Sequence, residues 1–232
     1  MLFRSPDRGR ADARKNGGVV IRVLVLALLL LTAPPPFHSS IRPLPAPVKA
    51  ELKQRGFWHK GCPVPLSGLR ILTLSHRGFD GRDHTGELIV NRNAAAPLAR
   101  VFRQLYRLHF PIHHMRLADV YGPRRSWPAD GDVSGSFYCR QAAPSPCSGG
   151  KGTSWSMHTY GLAIDLNTVE NPYVGCGQSR DPASLPYRYR SRHRRGMVTR
   201  RVVRAFGSIG WGWGGAWPGS TKDYMHFSST GH

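Results

Sequence analysis

Two stretches far apart in this chain have to be brought together before either makes chemical sense. The first is Ser156-Met157-His158-Thr159-Tyr160-Gly161-Leu162-Ala163-Ile164-Asp165, and the second is Asp223-Tyr224-Met225-His226-Phe227. Two imidazoles and a carboxylate, His158, Asp165 and His226, make a three-ligand set for a catalytic zinc ion, which needs N or O donors and one open position. Asp223, three residues ahead of His226, is placed to act as the base on a water held there. Gly161 lets backbone approach closely, and Leu162 to Leu166 alternates like a buried strand. Asp165 then emerges among apolar neighbours, where a carboxylate needs a cation or strong donors. Taken without the second stretch, Asp165 could equally pair with an arginine for structural reasons.

The N-terminus bears on where such a site would work. Arg4, Arg8, Arg10, Arg14 and Lys15 precede a short apolar run from Val23 to Leu31. That is the layout of a secretory signal, and the run is too short to span a bilayer comfortably. Residues 1–33 are therefore expected to be a signal peptide or signal anchor, and the protein to be exported. The whole chain carries a formal charge of +20, a balance that favours polyanionic surroundings such as wall polymers or an anionic membrane surface.

Cysteine usage agrees with export. Cys62, Cys139, Cys147 and Cys176 are even in number and form no C-x-x-C pair, which favours two disulfides over a zinc knuckle or redox motif. Four cysteines admit three pairings. The short Pro- and Ser-containing loop between them favours Cys139–Cys147, which leaves Cys62–Cys176.

Six prolines between Pro34 and Pro47 suggest extended, unpacked chain. Residues 34–57 are accordingly expected to be a linker, and 58–232 a single catalytic domain. Leu69 to Leu74 and Glu87 to Val90 suggest strands joined by glycine turns. Asn93 to Leu108 is the clearest helix, with Leu98, Val101, Phe102, Leu105 and Leu108 at helical spacing. Ile112 to Val120 suggests a strand, on which His113 and His114 would point to opposite faces and chelate poorly. The loop-rich stretch from Tyr121 to Gly152 contains Ser136-Phe137-Tyr138-Cys139-Arg140, and Thr199 to Phe206 suggests a helix. In the Gly/Trp run that follows it, Trp211 is expected inside and Trp217 near the rim of a substrate groove.

Ser-x-His-x-x-Gly-x-Ala-x-Asp (156–165), Gly-Trp-x-Trp-Gly-Gly-x-Trp (210–217) and Asp-x-x-His-Phe (223–227) together resemble the VanY-type D-alanyl-D-alanine carboxypeptidase and L-alanyl-D-glutamate endopeptidase superfamily of zinc peptidases. Gly61-Cys62-Pro63-Val64 and Phe110-Pro111-Ile112 are also similar to members of that family. The resemblance implies a single α+β catalytic domain of Hedgehog/DD-peptidase-like type, a small antiparallel sheet flanked by helices. It implies Zn2+ held by His158, Asp165 and His226. Asp223 would be the catalytic acid/base, and Arg140 the arginine that stabilises the substrate carbonyl. Ser156 is the motif's serine and, with Trp217, is expected to contact substrate. An Asp at position 223, where the dipeptidase and carboxypeptidase branches use Glu, looks more like the endopeptidase branch.

The expected substrates are peptidoglycan stem peptides, cleaved by a monomer. Eight arginines and a histidine between Arg188 and Arg204 suggest a docking face for anionic wall polymers, or else a solvated loop and helix face. A catalytically inactive wall-binding protein on the same fold is the alternative. A nucleic-acid partner is not expected: that reading rests on charge and aromatics and leaves His158, Asp165, Asp223 and His226 unexplained.

Overall fold

A computed structural model of the chain describes residues 36–148, 152–179 and 181–232. The expected signal segment, 1–33, lies outside the described residues. One compact unit runs from Phe37 to His232. Its strands are β1 (Ser39–Pro43), β2 (Leu69–Arg77), β3 (Asp83–Asn91), β4 (Ala163–Asp165), β5 (Tyr173–Gly175), β6 (Gln178–Ser179), β7 (Gly212–Trp213), β8 (Lys222–Asp223) and β9 (His226–Ser228). Its helices are α1 (Ala46–Gln54), α2 (Arg92–Arg107), α3 (Leu117–Tyr121) and α4 (Arg200–Gly207). The strands form three small sheets, ordered β1-β2-β3, β4-β9-β7 and β6-β5-β8, with every strand pair antiparallel. The architecture is α+β. Among the described residues no helix is long and apolar enough to cross a membrane.

The first sheet has a core on each face because β2 alternates apolar residues to both sides. Leu72 and Leu74 pack with Leu88 and Val90 toward α2, α4 and the second sheet. Leu69 and Ile71 pack with Ile89, Tyr121 and Phe137 on the opposite side. The apolar stripe of α2, including Leu98, Val101, Phe102 and Leu105, is buried in the first of these cores. Helix α2 begins one residue before the expected start at Asn93, and Asn91 caps it: its side chain accepts the Asn93 N–H at 3.0 Å. In α4, Thr199 caps Val202 N, and Phe206 stacks on Phe227 at 3.9 Å between ring centroids.

From residue 36 on, the expected linker 34–57 is not unpacked chain. β1 pairs with β2 along its length, from Ser39↔Leu74 to Pro43↔Arg70, and α1 places Leu52 in the second core beside Leu44. The prolines sit where folded chain tolerates them. Pro43 ends an edge strand, Pro45 is the N-cap of α1, and Pro47 lies in its first turn.

The expected strand over Ile112–Val120 is also absent. The segment makes one isolated bridge, His114↔Val133, just after the Arg77↔Pro111 bridge, before α3 begins. Asp119 stops the extended run by accepting from Arg116 N at 3.1 Å and from the Arg116 guanidinium at 2.8 and 3.1 Å. Nor are the disulfides the expected pair: the structure joins Cys62 to Cys139 and Cys147 to Cys176. Cys139 N donates to Phe57 O, which docks the strand-like piece before Arg140 against the chain leading to Cys62.

Candidate metal centre

β4 and β9 pair with Asp165 directly opposite His226, so the two residues share one face of the sheet. Alternation along β9 sends Phe227 into the core, 0% exposed, and leaves His226 on the opposite side. His158 arrives from a 3-10 turn at Met157–Tyr160. Ser156 caps that turn, its hydroxyl accepting His158 N–H at 3.3 Å. Gly161 closes the turn at φ +63°, where an added Cβ would stand 2.6 Å from Asn91 N. The motif glycine is there because no side chain fits.

Three donor groups converge. His158 Nε2 lies 3.2 Å from His226 Nδ1 and 3.1 Å from Asp165 Oδ2, and His226 Nδ1 lies 3.1 Å from Asp165 Oδ1. The Nδ1–H of His158 donates to Ser136 O, which leaves Nε2 as a lone-pair atom facing the cluster. Ligands about 2.0–2.1 Å from one tetrahedral zinc ion stand roughly 3.3 Å apart, so the set fits such an ion. The donors are also the right kind, two imidazole nitrogens and a carboxylate oxygen.

The electrostatics express the same demand. Burial would raise the Asp165 carboxyl, but His158 and His226 outweigh it and hold it well below the usual carboxylate range. Asp223 behaves oppositely. Burial first and the Asp165 charge second push it up to about 7, with His226 and Arg140 pulling the other way. Its Oδ1 and the His226 Nε2 are buried without a hydrogen-bond partner. β8 carries Asp223 to this place opposite Tyr173 of β5. Gly214 permits the approach, since a Cβ there would lie 2.5 Å from Asp223 O.

His158, His226, Asp223, Arg140, Ser156 and Trp217 line one cavity of about 230 Å³, together with Trp155, Tyr173 and His232. The structure thus brings the anticipated residues to one place. Arg140 is half-buried, its Nη1 donating to Gln141 O at 3.1 Å and its backbone held by Thr159 and Ser156. Ser156 spends its hydroxyl on the His158 turn, so it positions a ligand as well as lining the cavity. Trp217 stands 6.0 Å from the His226 ring and donates its indole N–H to Gly231 O, while Trp211 is buried. Ser136, which fixes His158 through a backbone carbonyl, is a functional residue that side-chain chemistry could not have revealed.

Residues 149–229 match a family model described as D-alanyl-D-alanine carboxypeptidase. The matched stretch contains Ser156, His158, Asp165, Trp217, Asp223 and His226, and it supports the VanY-type superfamily and a peptidase hydrolase. Searches of curated proteins and of solved structures returned no match.

Proposed function

We propose that this chain is an exported zinc-dependent peptidase that hydrolyses a bond in peptidoglycan stem peptides, as an endopeptidase or a D-Ala-D-Ala carboxypeptidase. The observation that carries this reading is the meeting of three donor groups whose nearest atoms lie 3.1–3.2 Å apart, beside a carboxyl and a guanidinium on one cavity wall. His158, Asp165 and His226 would hold the ion. When bound, zinc supplies Lewis-acid polarisation and an acidified water near neutral pH.

The remaining work falls to the chain's own side chains. Asp223 accepts the proton of the attacking water and later delivers one to the leaving amine. Its buried position keeps bulk water from competing for that proton. Arg140 presents a fixed positive charge where negative charge develops on the carbonyl oxygen, which favours the transition state over the ground state. Ser136 O and the Ser156 hydroxyl keep His158 in one orientation. Trp217 and Tyr173, 6.3 Å apart and near-perpendicular, give the cavity an aromatic wall for the peptide.

The arginine-rich stretch from Arg188 to Arg204 is assigned to holding the protein on anionic wall polymers. Not all of it is free to do so. Arg190 donates to Glu170 O, Asn171 Oδ1 and Val198 O, so it is a structural residue. Arg195, Arg200, Arg201 and Arg204 instead line an open cavity of about 580 Å³, where anionic groups could be met.

The test is mass spectrometry of purified peptidoglycan incubated with the full chain, with zinc and with a chelator. A new zinc-dependent fragment is expected, and its mass names the bond cut. A folded, zinc-loaded protein that releases no fragment would overturn the reading.

A further inference from the structure

A second convergence of donors lies outside the cavity just described. His113 and His114 do not alternate across a strand. Their rings stack 4.4 Å apart with 19° between planes, and Phe79 packs against His113 at 4.8 Å. The backbone is held in this arrangement by Asn167, whose buried Oδ1 accepts His113 N–H at 3.1 Å. Asp130 Oδ2 stands 3.3 Å from His114 Nε2 and 3.6 Å from His113 Nδ1. Asp132 Oδ2 is 2.8 Å from that same His113 nitrogen. Asp132 is 1% exposed, and its Oδ1 accepts Val169 N–H at 3.1 Å, which fixes the carboxylate in place.

We propose that His113, His114 and Asp130 form a second binding site, for a divalent transition-metal ion of the zinc or nickel type, with the buried Asp132 carboxylate beside His113. Two imidazole nitrogens with carboxylate oxygens are the donors such ions prefer. The separations of 3.3 and 3.6 Å from Asp130 Oδ2 to the two imidazoles lie near the roughly 3.3 Å expected between ligands on one tetrahedral ion.

The chain has 33 lysines and arginines. Among the described residues none forms a salt bridge with Asp130 or Asp132, whose only such partners are His113 and His114. A cation would satisfy His113, His114 and Asp130 together. A cavity of about 310 Å³ borders His113 and His114. It shares no lining residue with the His158 cavity, so the two sites would fill independently.

The experiment is a metal count by elemental mass spectrometry, with zinc and nickel titrations by calorimetry, on the tag-free full chain after chelator dialysis. Wild type is expected to take up two zinc ions per chain, and His226→Ala to retain one. His114→Ala and the near-isosteric Asp130→Asn should each lose one ion relative to wild type while keeping wild-type circular dichroism. Asp130→Asn keeps the test decisive where removal of the imidazole impairs folding. A wild-type stoichiometry of one, or two ions retained by Asp130→Asn, would overturn the proposal.

Discussion

Asp165 and His226 face each other across the β4–β9 pair, with His226 Nδ1 3.1 Å from Asp165 Oδ1. Backbone register therefore sets the distance between two ligands before any ion arrives, and His158 needs only to be swung in by its turn. Such preorganisation predicts that ligand loss acts on metal content and not on the fold. His226→Ala should lose the ion at this centre and all detectable peptide hydrolysis, with an unchanged far-ultraviolet spectrum. Metal analysis of the purified variant beside wild type checks this.

Asp223 and Arg140 touch no ligand atom through a hydrogen bond, yet both border the same cavity. Asp223→Ala should keep wild-type zinc content and lose about 10²–10⁴-fold in turnover, the usual contribution of a positioned acid/base. Arg140→Ala should keep zinc and lose about 10²–10³-fold, on the scale of a lost oxyanion donor. Parallel zinc and kcat measurements separate these two variants from the ligand variants. Wild-type turnover in Asp223→Ala would remove it from the mechanism.

Gly161 links stability to the site. Its φ of +63° and the 2.6 Å approach to Asn91 N leave a methyl group nowhere to go, and its carbonyl accepts Asn91 N–H at 2.9 Å. Gly161→Ala should cost about 1–3 kcal/mol, read as a lower unfolding temperature. Because His158 belongs to the same turn, zinc affinity should fall with it. A variant as stable as wild type would show that the turn can relax without consequence.

The metal centre was legible because its residues sit in two compact motifs whose chemistry is explicit in side-chain type. What it lacked was register, since nothing local says that Asp165 must face His226. Helix α2 was legible from its apolar stripe, and β2 and β3 from their apolar runs. No strand forms at His113 and His114, because Asp119 turns the chain into α3 from Leu117, so alternation does not separate the two rings. The proline count hid β1 and α1, since proline is compatible with an edge strand and a helix start. The disulfides depend on docking: Cys139 meets Cys62 because Phe57 O accepts Cys139 N–H, a contact no spacing rule contains.

The two disulfides should differ in what they protect. Cys62–Cys139 closes a separation of 77 residues and Cys147–Cys176 one of 29. On a chain-entropy model these correspond to about 4–5 and about 3–4 kcal/mol. Removing Cys62 and Cys139 together should cause the larger loss in denaturant unfolding. It should also depress turnover, because Cys139 immediately precedes Arg140. Equal turnover in that double variant, measured where it is still folded, would separate Arg140 placement from the bond.

Glu170 should make stability depend on pH. It is 6% exposed and its Oε2 has no hydrogen-bond partner. Burial first, and then Asp132 with a smaller push from Asp130, raise its carboxyl to about 8 in the folded chain. The nearby Tyr187 hydroxyl is in turn raised, by burial first and then by Glu170. Unfolded, a glutamate titrates near ~4.3. Between those two values the folded state binds more protons, so stability is full below the unfolded value and falls as pH rises toward 8. One proton changes the slope by at most about 1.4 kcal/mol per pH unit. Glu170→Gln keeps the shape without the titration, and should flatten the decline between pH 5 and 8 in metal-free denaturant unfolding. Parallel curves for wild type and Glu170→Gln would show that Glu170 does not set the dependence.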